Sequence, residues 1–105
     1  MQYDTRTAPR IKVNLPARWE GVLEQRDATV TSLSANGCFL LTGGEVKPKE
    51  LIRIEIELPD GEPVFCWGEV VEEAYDIGFA VCFNGLEEAE HERLSNFITL
   101  QLDRN

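Results

Sequence analysis

The chain is poor in the groups that most often carry chemistry. It has one histidine and three cysteines among 105 residues. Cys38, Cys66 and Cys82 form no C-x-x-C pair, and an odd number of widely spaced cysteines does not make a disulfide framework. Their spacing, with His91 beyond them, matches no usual zinc pattern, and no EF-hand string occurs, so no metal site is expected. Strings of the G-x-S-x-G, H-E-x-x-H and P-loop types are missing, which removes the common hydrolase and phosphate-transfer signatures. His91 stands among glutamates in a helical stretch, without an orienting partner. Catalysis needs such a constellation, so an enzyme is not expected. No apolar run approaches the roughly 20 residues that span a bilayer, and MQYDTRTAPR has no signal-peptide core. The expectation is a cytoplasmic protein without membrane insertion.

Basic charge is scarce as well. Ten Lys+Arg stand against 19 Asp+Glu, a formal net charge of −9. Phosphate neutralisation along DNA or RNA needs a basic face, so neither is an expected partner. The scarcity is uneven. Residues 1–19 hold Arg6, Arg10, Lys12 and Arg18 against Asp4 alone, a local +3. A small basic arm on an acidic body suits a small anion better than a long polyanion.

What is present describes one domain: 43% of residues are hydrophobic and 28% charged, enough for one modest core. Period-2 alternation dominates, which means strands. Ile11, Val13, Leu15, Ala17 and Trp19 share one face, and Pro16 marks an edge or a bulge. Further strands are expected over 28–33, 38–42, 51–58, 63–73 and 75–83, the last with Ile77, Phe79, Val81 and Phe83 in phase. Asn36-Gly37 reads as a turn pair tolerant of positive φ, and Pro59-Asp60-Gly61 as a second turn. Trp19 and Trp67 both alternate with apolar neighbours and read as core anchors. Cys66 and Cys82 read as small core residues, and Cys38, after a turn glycine, as the more exposed thiol.

The period then changes. Leu94, Phe97, Ile98 and Leu102 form one helical stripe, with Asn84 and Glu87 as a capping pair and glutamates crowding the first turns. Six strands and one C-terminal helix make an all-β barrel or sandwich capped by that helix. The expected division is an arm over residues 1–10, the β domain over 11–83 and the helix over 85–103.

Two elements point to a ligand. Arg6-Thr7-Ala8-Pro9-Arg10 places two guanidiniums four residues apart, and Pro9 keeps Ala8 extended, so this arm is not helical. Guanidinium matches phosphate oxygens and the O6/N7 edge of guanine. Ser32-Leu33-Ser34-Ala35-Asn36-Gly37 makes a tight polar turn whose hydroxyls and backbone N–H groups suit an anion or a base edge.

Together these elements resemble the PilZ domain, a bacterial family that binds cyclic di-GMP through R-x-x-x-R on an N-terminal arm and [D/N]-x-S-x-x-G at a turn. Arg6 and Arg10 complete the first motif. Ser32, Ser34 and Gly37 answer the second, with serine at 32 where the family usually has aspartate or asparagine. NLPARWEG, LIRIEIELPDGEPV, IGFAVCF and LSNFI also look like family segments. The resemblance implies a six-stranded antiparallel β-barrel with one C-terminal α-helix.

It further implies a stand-alone cyclic di-GMP receptor acting on an unidentified protein effector in motility, attachment or exopolysaccharide control. Arg6 and Arg10 would be the anchors, Ser34 and Gly37 would give hydroxyl and backbone contacts, and Ser32 would give a weaker contact than a carboxylate or amide. One lost guanine contact weakens binding about tenfold, at 1.4 kcal/mol per decade. The region around Val70-Val71-Glu72 offers no aromatic to stack on the ligand. No other cofactor is implied, and the expected state is a monomer or weak homodimer. The alternative is a PilZ-like adaptor that makes protein contacts without the nucleotide.

Overall fold

The computed structural model of the chain describes residues 9–74 and 77–104. Six strands and one helix follow in order: β1 (Ile11–Glu20), β2 (Gln25–Leu33), β3 (Gly37–Leu41), β4 (Leu51–Glu57), β5 (Pro63–Ala74), β6 (Gly78–Asn84) and α1 (Glu88–Asp103). Alternation drives them. In β4, Ile52, Ile54 and Ile56 are buried while Leu51, Arg53 and Glu57 face out, as the two-residue period of a strand requires.

The strands close into a barrel in the order β1-β2-β3-β6-β5-β4, all neighbours antiparallel. The expectation of a barrel with one C-terminal helix is met, and closure leaves little free edge beyond the first half of β1. The core fills from the inward positions of every strand, with Trp19 meeting Phe79 edge-to-face at a ring separation of 5.2 Å. The indole N–H of Trp19 donates to Thr42 Oγ1 at 3.0 Å, so the one polar atom of that ring is satisfied.

Several local expectations change. Pro16 lies inside β1, opposite Thr29, and the irregularity is displaced to the register shift between Lys12 and Leu15. The proline is tolerated because β1 begins to pair with β4 only at Ala17. Asn36 and Gly37 are not at positive φ. Gly37 is a glycine because the backbone carbonyl of Val81 occupies the place a Cβ would take. The expected cap at Asn84 does not form. Asn84 stays in the β6 ladder opposite Trp67, Gly85 turns the chain at φ +83°, and Glu87 becomes the N-cap with no side-chain cap hydrogen bond.

Helix α1 therefore starts at Glu88, buries Leu94 and Ile98, and packs on β5 and β1. Leu102 is left exposed. Ile77 has the parity of buried Phe79 and Val81 but precedes β6, and outside the strand it is exposed. Among the described residues, no helix is long and apolar enough to cross a membrane.

Gly68 shows how tightly β4, β5 and β6 meet. A Cβ there would strike the Val81 side chain and lie 2.9 Å from Ile54 Cδ1. Gly68→Ala is expected to cost about 1–3 kcal/mol by overpacking. Val81→Ala in the same chain should recover part of that loss, seen in urea unfolding as a total smaller than the sum of the two single changes.

Candidate ligand site at the arm and the first turn

Arg10 is the residue just before β1, and Ser32 is next to last in β2. Antiparallel pairing sets Ile11 against Leu33 and Lys12 against Ser32, so the start of β1 lies beside the end of β2. Arg10 Nη1 donates to Ser32 Oγ at 2.9 Å, across 22 residues of sequence. The contact is exposed, and its acceptor is neutral. A side chain–side chain bond of this kind is worth about 1 kcal/mol net. Arg6 lies outside the described residues.

The ladder continues past Ser32 to Phe39 on β3. Register partners project from the same face of a sheet, so Lys12 and Phe39 flank Ser32 on either side. Lys12 is exposed and Phe39 half-buried. An ammonium, a hydroxyl and a phenyl ring thus stand in a row next to the Arg10 guanidinium. Alternation along β1 puts Lys12 on the side opposite Ile11, whereas the expected strand over 38–42 gives Phe39 no face. The signal that joins them is register, which a single strand does not display.

Ser34 is placed differently from Ser32. It is 2% exposed, and its Oγ accepts the Asn36 N–H at 3.1 Å and donates to the Gly37 carbonyl at 3.4 Å. The Ser34 N–H donates to the same carbonyl at 2.9 Å, and the Asn36 carbonyl accepts the Phe83 N–H at 2.8 Å. Ser34 and Gly37 therefore build the turn and tie it to β6. Ser32 and Arg10 face solvent from its rim.

Cys66 is buried as expected, but Cys38 and Cys82 reverse their expected exposure. Cys38, the first residue after Gly37, is 1% exposed, and Cys66 is also buried, whereas Cys82, opposite Gly37 on β6, is exposed. Inward and outward positions alternate, and the β3–β6 register sets Cys38 beside buried Val81 on the inner face. Burial raises the Cys38 thiol pKa far above its usual range and pushes Cys66 up to about 12. Among the described residues, no group of three His, Cys, Asp or Glu converges as a metal site would.

Iodoacetamide at pH 8 is expected to add one label to the native chain, on Cys82, and three after unfolding in urea, counted by intact mass. Labelling of Cys38 in the native chain would contradict its burial. Ser34→Ala should lower stability by about 1–3 kcal/mol in urea unfolding, because it strands a part-buried N–H. Ser32→Ala, which removes one exposed contact on the rim, should cost no more than about 1 kcal/mol.

A family model for the PilZ domain matches residues 4–100. No curated protein matches the chain significantly. Solved structures do. The inhibitor of motility MotI/DgrA of Bacillus subtilis superposes with a TM-score of 0.81 at 16% identity, over 98% of this chain and 54% of that one. The PilZ domain of CeSA from a cellulose-synthesising bacterium superposes with a TM-score of 0.66 at 14% identity, over 90% of this chain and 98% of that one. The chain thus spans about half the length of the Bacillus protein. At such identities the superpositions speak for the barrel and its helix alone, while the family match covers both the arm and the turn. The chain belongs to the PilZ domain family.

Proposed function

We propose that this domain is a receptor for cyclic di-GMP and passes the binding event to a protein partner. The family match supports a receptor or adaptor module. The observation that carries the reading to this chain is the 2.9 Å contact of Arg10 with Ser32, which joins the basic arm to the polar turn.

The chemistry follows from the strength of that contact. In the free chain Arg10 donates to a neutral hydroxyl in solvent. A phosphate oxygen offers a charge-assisted, bidentate alternative about twice as strong per bond. Arg10 would exchange Ser32 for phosphate, freeing the Ser32 hydroxyl for the guanine edge. Arg6 is the second anchor of the arm. Ser34 and Gly37 hold the turn so that its backbone approaches the ligand closely. Lys12 adds positive charge beside the site, and Phe39 adds an apolar surface one strand away. The net charge of −9 opposes a dianion elsewhere on the surface, so these cations also define where it lands.

The process served is proposed to be motility, attachment or exopolysaccharide control, in line with the Bacillus neighbour, an inhibitor of motility. Serine at 32 favours one other reading, an adaptor that uses the same fold for protein contacts without the nucleotide.

Isothermal titration with cyclic di-GMP, with GTP as control, separates the two. Saturable binding of cyclic di-GMP alone is expected. Arg10→Ala should abolish it with an unchanged circular dichroism spectrum, and unchanged affinity in that variant would move the site elsewhere. Ser32→Asp and Ser32→Asn should tighten binding about tenfold by restoring one polar contact. The ion pair Asp would form with Arg10 is exposed, and such pairs are worth under about 1 kcal/mol, too little to withhold the guanidinium. No heat, together with unchanged amide shifts, would leave the adaptor reading.

A further inference from the structure

The outer face of β4 and β5 carries large apolar side chains that the barrel does not use. On β5, Phe65 is 57% exposed and Trp67 48% exposed, at successive outward positions. Scattered exposed apolar residues are ordinary. Two adjacent aromatics in a concave site are not. They help wall a cleft of about 440 Å³ between the sheet and the start of α1.

Charge around this cleft is lopsided. Glu20, Glu55, Glu87 and Glu90 line it, against Arg18 and Arg53. Both arginines are engaged. Arg53 lies 5.8 Å from the Trp67 ring centroid and 3.8 Å from Glu20, and Arg18, flanked in register by Asp27 and Glu55, pairs with Asp27 at 3.4 Å. Glu90 accepts the Phe65 N–H at 2.9 Å. Among the described residues, Glu55 and Glu87 have no cationic partner. Glu87 also serves the positive end of the α1 dipole. Glu55, half-buried on β4 opposite Phe65, has no such second role.

We infer that this cleft docks a basic peptide segment of a partner protein, with an aliphatic or aromatic anchor on Phe65 and Trp67 and Lys or Arg side chains on Glu55 and Glu87. A second copy of this chain would bring the same acidic rim against itself, at a net charge of −9 per chain. A nucleotide would set its phosphates among four carboxylates. A cationic, amphipathic segment satisfies both the ring faces and the unpaired carboxylates. The inference does not depend on nucleotide binding and fails separately from it.

The test uses the whole chain and a fluorescein-labelled 14-residue peptide of alternating Leu and Lys with one central Trp, beside a counterpart with Glu for every Lys. Fluorescence anisotropy should show saturable binding of the basic peptide alone, weakening as salt rises. Trp67→Ala and Phe65→Ala should each weaken it at least tenfold, and Glu55→Gln several-fold. Glu92→Gln, an exposed glutamate outside the cleft lining, should change it less than twofold. Cyclic di-GMP titrations of the same variants should match the parent, which keeps this outcome apart from the receptor reading. Equal binding of the acidic peptide, no binding of the basic one, or full affinity in both aromatic variants overturns the inference. So does a dimer in sedimentation that Trp67→Ala dissolves, since the occupant would then be a second copy.

Discussion

Pairing of β1 with β4 is the constraint on which the rest of the molecule depends. Ala17, Arg18, Trp19 and Glu20 meet Ile56, Glu55, Ile54 and Arg53, and this short ladder converts a six-stranded sheet into a closed barrel. Closure leaves little free edge and gives every strand an inside. It also forces side chains from opposite walls into one small volume. Gly68, beneath Val81 and Ile54, is a consequence of that crowding, and Gly37, against the Val81 carbonyl, of the close approach of β3 to β6.

The ligand corner is a by-product of the same pairing. Because β1 and β2 run antiparallel, the residue entering β1 and the residues leaving β2 must be neighbours, however far apart in sequence. Arg10 reaches Ser32 without any dedicated scaffold. The inward hydroxyl of Ser34 and the outward hydroxyl of Ser32 divide the work of the turn: one holds it, the other faces what arrives. The Arg10–Ser32 contact is weak enough to be exchanged, as the proposed receptor role would require, since a guanidinium locked in a buried ion pair would be costly to free.

Charge divides the surface into two regions of opposite character. The arm concentrates cations within the first strand and its approach, on a body that is otherwise strongly acidic. The cleft beside α1 does the reverse, setting two aromatic rings within a rim of carboxylates. Ligands sorted by charge would therefore not compete: an anion finds the arm, a cationic segment finds the cleft. A receptor that must hold a small anion and touch a protein at once has use for that separation.

Much of this was legible in one dimension. Alternation located all six strands, the helical stripe located α1, and the arm and turn motifs pointed to the family that a match over residues 4–100 shows. Periodicity succeeds there because a barrel buries one face of every strand, so inside and outside are written residue by residue. What it could not supply was phase where two readings compete. Trp67 is apolar and in a strand, yet faces out, because the inward position beside it is taken by Gly68 under Val81. Cys38 and Cys82 exchange their expected places because the β3–β6 register sets Cys38 beside buried Val81 and leaves Cys82 on the opposite parity. The sequence by itself determined the elements, the family and the candidate ligand residues, since those rest on local pattern. Only the tertiary structure decided which thiol is exposed, that Ser34 braces the turn while Ser32 meets Arg10, and that two aromatics and four glutamates share one cleft. Those facts depend on register between strands distant in the chain, and register is settled by closure and packing, not by any one strand alone.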